Sequence, residues 1–177
     1  EYNSATEYTP IGGTFELAVS RNSAPTVSVT APTGDGEFNV GTDSTVSLAS
    51  AVSVADTDSD IDSAYVKITT NYSSSTDSLS FTNDGATMGD ITGTFVSGTG
   101  ILTLSSSSGA TDAEWNAAPA SITFTSTDVS YPATDRTIVW GVSDGKKETT
   151  ADTTVDMVYN APVLAVNGTE HYYIETG

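Results

Sequence analysis

The chain has 177 residues, with 23 acidic residues against 5 basic ones, and its formal net charge is -18. This charge argues against nucleic acid as a partner and excludes a polybasic contact with anionic lipid, because both need clustered Lys and Arg. The chain has no cysteine, which excludes disulfides, thiolate metal sites and a cysteine nucleophile. No apolar run approaches the roughly 20 residues of a membrane helix, so membrane insertion is not expected.

The composition favours strands. Ser, Thr, Val and Gly are abundant, whereas Leu, Lys, Arg and Gln are sparse. Short alternating segments separated by Gly-, Asn- and Asp-containing turns predict an all-β sandwich of Greek-key type. In chain order the segments are Thr14–Val19, Thr26–Thr30, Thr45–Val54, Ala64–Thr70, Ser78–Phe81, Ile91–Val96, Ile101–Ser105, Ser121–Thr125, Arg136–Val142, Thr149–Val158 and Pro162–Val166.

Acidic residues occupy every second position after the third of these segments, at Asp56, Asp58, Asp60 and Asp62. In an extended chain, side chains two residues apart share a face and lie about 6.6 Å apart, so such carboxylates repel one another. A bound cation would neutralise them, whereas a solvated turn would separate them. Carboxylate oxygens suit Ca²⁺, which takes about six to eight oxygen ligands. The run therefore predicts a turn-type calcium site, with a solvated acidic turn as the alternative.

One segment departs from the strand pattern. Thr111 and Glu114 have the spacing of a capping box, and Pro119 is expected to stop the helix that they begin. The sequence thus predicts about two turns of helix near 111–118, spanning one end of the sandwich. Trp115 within it is predicted to be a core anchor, with an exposed platform for a sugar as the alternative.

A hairpin is predicted towards the end of the chain. Arg136–Val142 and Thr149–Val158 are alternating segments on either side of a turn that contains Asp144 and a following glycine. Trp140, within the first of these segments, is predicted to be a second core anchor.

The chain also contains an internal repeat. Asn22-Ser23-Ala24-Pro25 resembles Asn160-Ala161-Pro162, and the two prolines are 162 − 25 = 137 residues apart. A linker that recurs at a fixed separation is typical of a tandem array. Residues 23–160 are therefore predicted to form one complete sandwich. Residues 1–22 would close a preceding repeat or act as a donor strand, and residues 161–177 would open the next repeat or be exchanged between copies.

The ordered set of motifs resembles the cadherin-like tandem repeats of giant bacterial surface adhesins and RTX-type proteins. The resemblance covers most of residues 24–160 and follows the order of that family. Its motifs are Val54–Asp60, Ala64–Ile68, Asp77–Phe81, Ile91–Phe95, Gly100–Leu104, the helix around Trp115, Ile122–Phe124, Asp135–Ile138 and Val142–Gly145. The resemblance implies an Ig-like sandwich, an extracellular location, calcium at interdomain junctions and a spacer or adhesive role.

Two further residues extend the candidate calcium site. Asp144 resembles the acidic turn of that family, and Asn22 in the linker would add a carbonyl oxygen. The candidate ligands of Ca²⁺ are thus Asp56, Asp58, Asp60, Asp62, Asp144 and Asn22. Catalysis has little support, because His171 is the single histidine and no Gly-rich phosphate loop leads into a helix with Lys.

The leading prediction is a noncatalytic, calcium-rigidified repeat, secreted or at the cell surface, that extends an adhesin stalk or builds a filament. Its partners would be adjacent repeats or neighbouring copies, and any glycan or host-cell ligand would be bound through other domains. A second hypothesis is a self-assembling fibre subunit, joined by donor-strand complementation through its terminal strands. A third is a carbohydrate- or peptide-binding sandwich that uses exposed aromatic residues. The candidates for that role are Tyr65, Tyr72, Tyr131 and Trp115.

Overall fold

The computed structural model describes residues 21–32, 36–159, 163–166 and 170–173. Strands dominate these residues, and one short helix interrupts them, so the prediction of an all-β sandwich with a short helix is confirmed. The elements are, in chain order, β1 (Thr26–Thr30), β2 (Phe38–Asn39), β3 (Val46–Ser47), β4 (Ala51–Ala55), β5 (Ser63–Ile68), β6 (Asp77–Ser80), β7 (Thr92–Val96), β8 (Ile101–Ser105), α1 (Asp112–Ala120), β9 (Thr123–Ser126), β10 (Arg136–Ser143), β11 (Glu148–Val155), β12 (Met157–Val158), β13 (Val163–Val166) and β14 (Glu170–Tyr173).

The larger layer is an antiparallel sheet with the strand order β11-β10-β5-β8-β7. Side chains alternate between the two faces of a strand, so residues two apart share a face. On the central strands every second residue is buried, and these positions form the inner face of the sheet. They are Ala64, Val66 and Ile68 on β5, Leu102 and Leu104 on β8, and Ile138, Trp140 and Val142 on β10.

The second layer is assembled from smaller pieces. A three-stranded sheet has the order β3-β9-β6, β1 pairs with β4 in antiparallel fashion, and β2 pairs with β12 in parallel. The rings of Phe124 on β9 and Phe38 on β2 pack in a T-shaped arrangement, with 5.4 Å between the ring centroids. Val52 and Val54 of β4 belong to the same hydrophobic core.

The helix begins as predicted and ends later. Thr111 accepts a hydrogen bond from the Glu114 amide, and the Glu114 carboxylate accepts one from the Thr111 amide at 2.7 Å, which completes the capping box. The expectation that Pro119 stops the helix is wrong, because α1 contains Pro119 and ends at Ala120. A proline in the last turn removes only its own N–H, and its carbonyl still accepts from the Ile122 amide at 3.1 Å.

The helix lies against β4. The side chain of Asn116 accepts a hydrogen bond from the Val54 amide at 2.6 Å, so a polar side chain satisfies this amide of β4. Within the described ranges, no helix has both the length and the apolar character needed to cross a membrane.

Two predicted strands are interrupted. The segment Thr45–Val54 forms β3 and β4 separately. The segment Thr149–Val158 breaks at Asp156, where the chain leaves its partner β10 and continues as β12 beside β2. The predicted hairpin is confirmed, since β10 and β11 pair from Arg136 opposite Val155 to Ser143 opposite Glu148. The predicted strand Thr14–Val19 lies outside the described residues.

The two ends of β10 define two ends of the sandwich. We call the end that carries Asn22 and Asp144 the entry end, because these residues lie within hydrogen-bond distance of each other where the described chain starts. The exit end carries Tyr131 and Tyr159, whose rings are in contact where the sandwich finishes. Eight residues of β10 separate these ends, a span of about 27 Å at the rise of an antiparallel strand.

Candidate metal site

Three separate segments meet at the entry end. They are the linker at Asn22 and Ser23, the β4–β5 connection at residues 56–62, and the β10–β11 turn at Asp144. The β4–β5 connection contains no strand until Ser63. It bends because the Asp56 side chain accepts a hydrogen bond from the amide two residues later, at 3.1 Å. The four acidic residues therefore do not line one extended face.

The hydroxyl of Ser59 marks the point where the three segments converge. Its Oγ atom lies 3.3 Å from Asn22 Oδ1, 3.3 Å from Asp56 Oδ2 and 3.4 Å from Asp144 Oδ2. A hydroxyl has one proton and donates to only one of these oxygens at a time. Oxygen atoms from three separate segments of the chain thus converge on the Ser59 hydroxyl.

The linker is fixed to both acidic segments. The Asn22 amide group donates to Asp144 Oδ2 at 2.6 Å, and the Ser23 backbone N–H donates to Asp58 Oδ2 at 2.9 Å. The other oxygen of Asp144 accepts from the backbone N–H groups of Lys146 and Lys147 at 2.7 and 2.6 Å. These hydrogen bonds fix the orientation of the linker where it joins the sandwich.

Hydrogen bonds also favour the ionised forms of two of these carboxyls. The Lys147 backbone N–H and then the Asn22 side chain lower the pKa of Asp144 to about 2. The backbone N–H of Ser23 lowers the pKa of Asp58. Both groups are therefore negatively charged at neutral pH.

The nearby lysines leave these charges without ion pairs. The Lys147 ammonium donates to the main-chain carbonyl of Asn22, and the Lys146 ammonium lies 3.5 Å from Asn22 Oδ1. In the described part of the chain, every ion pair involves Arg136 at the other end of β10. The carboxylates of the entry end thus concentrate negative charge without a bonded cation.

Four of the six predicted ligands come together here, namely Asn22, Asp56, Asp58 and Asp144. Asp60 and Asp62 are exposed, and no hydrogen bond joins their side chains to the others among the described residues. Asp62 nevertheless lies beside the β10–β11 turn, because its backbone N–H donates to the Ser143 carbonyl at 2.8 Å. The four that meet offer carboxylate and amide oxygens, the donor type that Ca²⁺ prefers. Within the described ranges, no three or more His, Cys, Asp or Glu residues are already positioned as a metal cage. Ca²⁺ binding at 2.3–2.6 Å would therefore need these oxygens to move closer together.

Sequence reasoning missed a buried ionic network at the exit end. Arg136 is 1% exposed and Asp77 3% exposed, and two nitrogens of the guanidinium bond the two carboxylate oxygens at 2.9 and 3.3 Å. Asp128 accepts a further bond from Arg136 at 3.1 Å. The one available signal was an arginine at the start of a strand in a chain with 5 basic residues.

The aromatic candidates divide by exposure. Trp115 is 0% exposed, so the alternative of an exposed Trp115 platform for a sugar is wrong and its prediction as a core anchor is confirmed. Tyr65 lies so close to Gly141 that a Cβ added there would be 2.1 Å from the tyrosine Cε1. Burial, followed by its bond to Glu148, raises the pKa of Tyr65 to about 12. Tyr131 is 61% exposed, and Tyr72 is half-buried.

An open depression of about 320 Å³ lies beside Tyr65 on the outer face of the larger sheet. It is lined by Ser63, Ala64, Tyr65, Lys67, Ile101 and Thr103.

Two other aspartates, Asp84 and Asp90, accept several hydrogen bonds in tight loops, and these bonds should make the stability of the fold depend on pH. Hydrogen bonds from the Thr87 hydroxyl and from nearby backbone N–H groups lower the pKa of Asp84 from 3.8 to about 2. Asp90 accepts bonds from Ser106, Ser107 and Ser108, which hold its pKa well below its usual range. In both cases the unfolded chain takes up the proton first as the pH falls. Their stabilisation is therefore present above the ordinary aspartate pKa of 3.8 and is lost progressively as the pH falls through their lowered pKa values.

Asp90→Asn is expected to make this acid-induced loss of stability smaller, because an amide does not take up a proton in this pH range and so no longer contributes to the linkage. The measurement is urea unfolding followed by circular dichroism between pH 2 and pH 6. Asp152→Asn is the matched control, since Asp152 is exposed and its side chain makes no hydrogen bond among the described residues. Identical pH profiles for Asp90→Asn and the wild type would contradict the prediction.

Comparison with known proteins does not assign the chain to a family. The chain matches no protein-family model and no curated protein.

Proposed function

We propose that this chain is a noncatalytic, extracellular spacer repeat that Ca²⁺ stiffens at its entry end, and that it extends an adhesin-type stalk or a surface filament. The observation that carries this proposal is the meeting of Asn22, Asp56, Asp58 and Asp144 at the point where the linker joins the sandwich. A cation held there would connect the linker, the β4–β5 connection and the β10–β11 turn.

The path of the chain supports a role as a spacer. The linker joins the sandwich beside Asp144, and the last strand of the sandwich finishes beside Tyr131, at the opposite end of β10. Units connected in this way follow one another end to end, so each unit adds its length to the array. A sandwich whose linkers met at a single end would fold the array back on itself.

Ca²⁺ would act on both rigidity and stability. It would neutralise carboxylates that lack ion-pair partners, and it would restrict bending at the linker because Asn22 and Ser23 already bond the acidic segments. A ligand that binds only the folded state stabilises it by about 2.7 kcal/mol at a concentration 100 times its Kd. The formal net charge of -18 favours the binding of divalent cations.

Saturating calcium is expected to raise the Tm of the chain by about 5–10 °C, and excess EDTA is expected to reverse the shift. The double variant Asp58→Asn/Asp144→Asn should lose the shift, because it removes two of the converging carboxylates and leaves side chains of similar shape. The measurement is differential scanning fluorimetry at pH 7, with and without calcium. The control is Asp84→Asn, which removes a hydrogen-bonded carboxylate away from the entry end and should keep the full shift.

A melting curve of the wild type that is unchanged in EDTA would contradict the role of calcium. An equal calcium shift in the wild type and the double variant would place the ion elsewhere on this acidic chain.

One observation favours the fibre subunit as a second candidate. Strand β7 forms an edge of the larger sheet, and its sequence Thr-Gly-Thr-Phe-Val contains neither a charged residue nor a proline. Natural edge strands usually carry such residues, which prevent pairing with another chain. Thr94→Lys on this exposed strand should abolish polymers that form through β7, as measured by analytical ultracentrifugation. Polymers that persist in this variant would remove β7 pairing as the basis of assembly.

A further inference from the structure

The depression beside Tyr65 uses none of the residues that converge at the proposed calcium site. Alternation places Ser63, Tyr65 and Lys67 on the outer face of β5, because the residues between them belong to the core. On the neighbouring strand β8, Thr103 lies opposite Tyr65 and Ile101 lies opposite Lys67. These side chains line the depression, which has a volume of about 320 Å³.

The direction of the Tyr65 side chain explains why this space is open. The Tyr65 hydroxyl donates to Glu148 Oε1 on β11 at 2.8 Å. Tyr65 also covers Gly141 of β10, where an added Cβ would be 2.1 Å from the tyrosine Cε1. The side chain therefore extends from β5 across β10 to β11 and away from β8. On the side of β8 the short side chain of Thr103 leaves the depression unfilled, so the space is already formed without a ligand.

Lys67 places a positive charge in the lining. Among the described residues its ammonium makes neither a hydrogen bond nor an ion pair. The carboxylate of Glu148 is bonded at the far end of Tyr65. Asp152 lies opposite Val139, which in turn lies opposite Lys67, so two strand spacings of about 4.8 Å each separate Asp152 from Lys67. The charged residue of the lining is thus a cation that is available to an anionic group.

The lining matches the chemistry of a sugar that carries a carboxylate. Ser63 and Thr103 have hydroxyls that both donate and accept hydrogen bonds, as sugar hydroxyls do. Ile101 and the ring of Tyr65 offer apolar contact to the C–H groups of a sugar ring. The Lys67 ammonium complements a carboxylate through a charge-assisted hydrogen bond. The volume lies at the lower end of the range for small-molecule sites, about 300–1,000 Å³.

We propose that this depression binds a hexuronate unit of an acidic glycan, with the sugar carboxylate on Lys67 and the sugar hydroxyls on Ser63 and Thr103. The proposal goes beyond the spacer role and narrows the hypothesis of a carbohydrate-binding sandwich to one surface and one class of sugar. Binding by a single chain should be weak, with a Kd of about 1 mM, because the depression is open. If the chain is one unit of a tandem array, successive copies of the site would add to the avidity of the array.

The test is an NMR titration of the complete 177-residue chain, labelled with ¹⁵N. The probes are short oligomers of glucuronate, galacturonate and mannuronate, each compared with the neutral oligomer of its parent hexose. At least one uronate oligomer should shift the amide signals of residues 63–67 and 101–103, and its neutral counterpart should bind about tenfold more weakly. A salt concentration of about 0.15 M screens charges more than about 8 Å away, which limits repulsion by the acidic chain.

The titration is carried out in EDTA, because calcium would also connect a sugar carboxylate to the aspartates of the entry end. This condition separates the proposal from the proposed function. A uronate that binds in EDTA supports the sugar site even if the chain holds no calcium. Calcium binding by a chain that takes no uronate would support the calcium site and refute the sugar site.

Two variants locate the sugar. Lys67→Gln should weaken uronate binding about tenfold, because it removes the charge that pairs with the carboxylate. Thr103→Val should weaken it about threefold, since it replaces a hydroxyl by a methyl group on the same β-branched frame. Lys146→Gln is the matched control, because it changes the net charge by the same amount at an exposed position of the entry end, and it should leave the affinity unchanged. Unchanged amide signals elsewhere in the sheet verify that each variant is folded.

Four results would each overturn the proposal. They are no binding of any of the three uronate oligomers, equal binding of a uronate and its neutral counterpart, shifts confined to amides outside residues 63–67 and 101–103, and equal affinities of Lys67→Gln and Lys146→Gln.

Discussion

Arg136→Ala is expected to lower the free energy of unfolding by about 3–5 kcal/mol, the largest effect of any polar substitution in the described sandwich. The guanidinium is almost fully buried and is the ion-pair partner of the equally buried Asp77. Truncation of Arg136 leaves that carboxylate inside the protein without a counter-ion. A buried unpaired charge costs several kcal/mol, more than the pair itself contributes.

The other bonds of Asp77 explain why it cannot simply reorient. Its two oxygens also accept hydrogen bonds from the Ser126 hydroxyl at 2.8 Å and from the Ser73 amide at 3.0 Å. Arg136 in turn bonds Asp128 and Thr134 in the loop before β10. The network thus joins β6, β9 and β10 at the exit end.

Urea unfolding at pH 7 measures this effect. Arg136→Lys should also destabilise the fold, because an ammonium cannot reproduce the two parallel bonds to Asp77. Arg136→Met/Asp77→Leu should cost less than Arg136→Ala, since no charge remains buried. The control is Lys67→Ala, a half-exposed cation on β5, with an expected change within about 0.5 kcal/mol. A similarly small change for Arg136→Ala would show that the network is not needed for stability.

Trp115→Ala is expected to cost about 3–5 kcal/mol through the burial and packing that the indole provides. Trp115 is 0% exposed and belongs to the hydrophobic core, and α1, which carries it, lies against β4. Its Nε1 atom is buried without a hydrogen-bond partner among the described residues. The loss is therefore one of volume and apolar contact, with no hydrogen bond broken.

Trp140 provides the comparison. Its Nε1 donates to the Thr153 hydroxyl at 2.8 Å. Both Trp→Phe variants remove similar volume, so Trp140→Phe should cost about 0.5–1.5 kcal/mol more than Trp115→Phe. Chemical unfolding of these two variants and of Trp115→Ala provides the three values. A cost below about 1 kcal/mol for Trp115→Ala would contradict its role as a core anchor.

Much of the fold was predictable because the sequence patterns that specify it involve residues close together in the chain. On β10 the buried apolar side chains of Ile138, Trp140 and Val142 alternate along the strand as they do in the sequence, and the turn containing Asp144 connects β10 and β11 as predicted. The capping box at Thr111 likewise involves residues three apart. The break at Asp156 was not predictable, because it follows from pairing with β2, more than a hundred residues earlier in the chain.

The candidate site was likewise predictable only in the parts that depend on residues close together in the chain. The run of aspartates was visible, but its bend at Asp56 was not, since alternation of charge is equally compatible with an extended strand. The convergence of Asn22 with Asp144 joins residues 122 apart, and the bond between Arg136 and Asp77 joins residues 59 apart. No local pattern specifies contacts at such separations, which are determined by how the sheets pack.

Isothermal titration of calcium into the complete chain tests the central claim most directly. If the linker, the β4–β5 connection and the β10–β11 turn hold the ion, the wild type should give a saturable binding curve. The double variant Asp58→Asn/Asp144→Asn should abolish or greatly weaken calcium binding. Absence of binding heat in the wild type up to millimolar calcium, confirmed by equilibrium dialysis, would contradict the account.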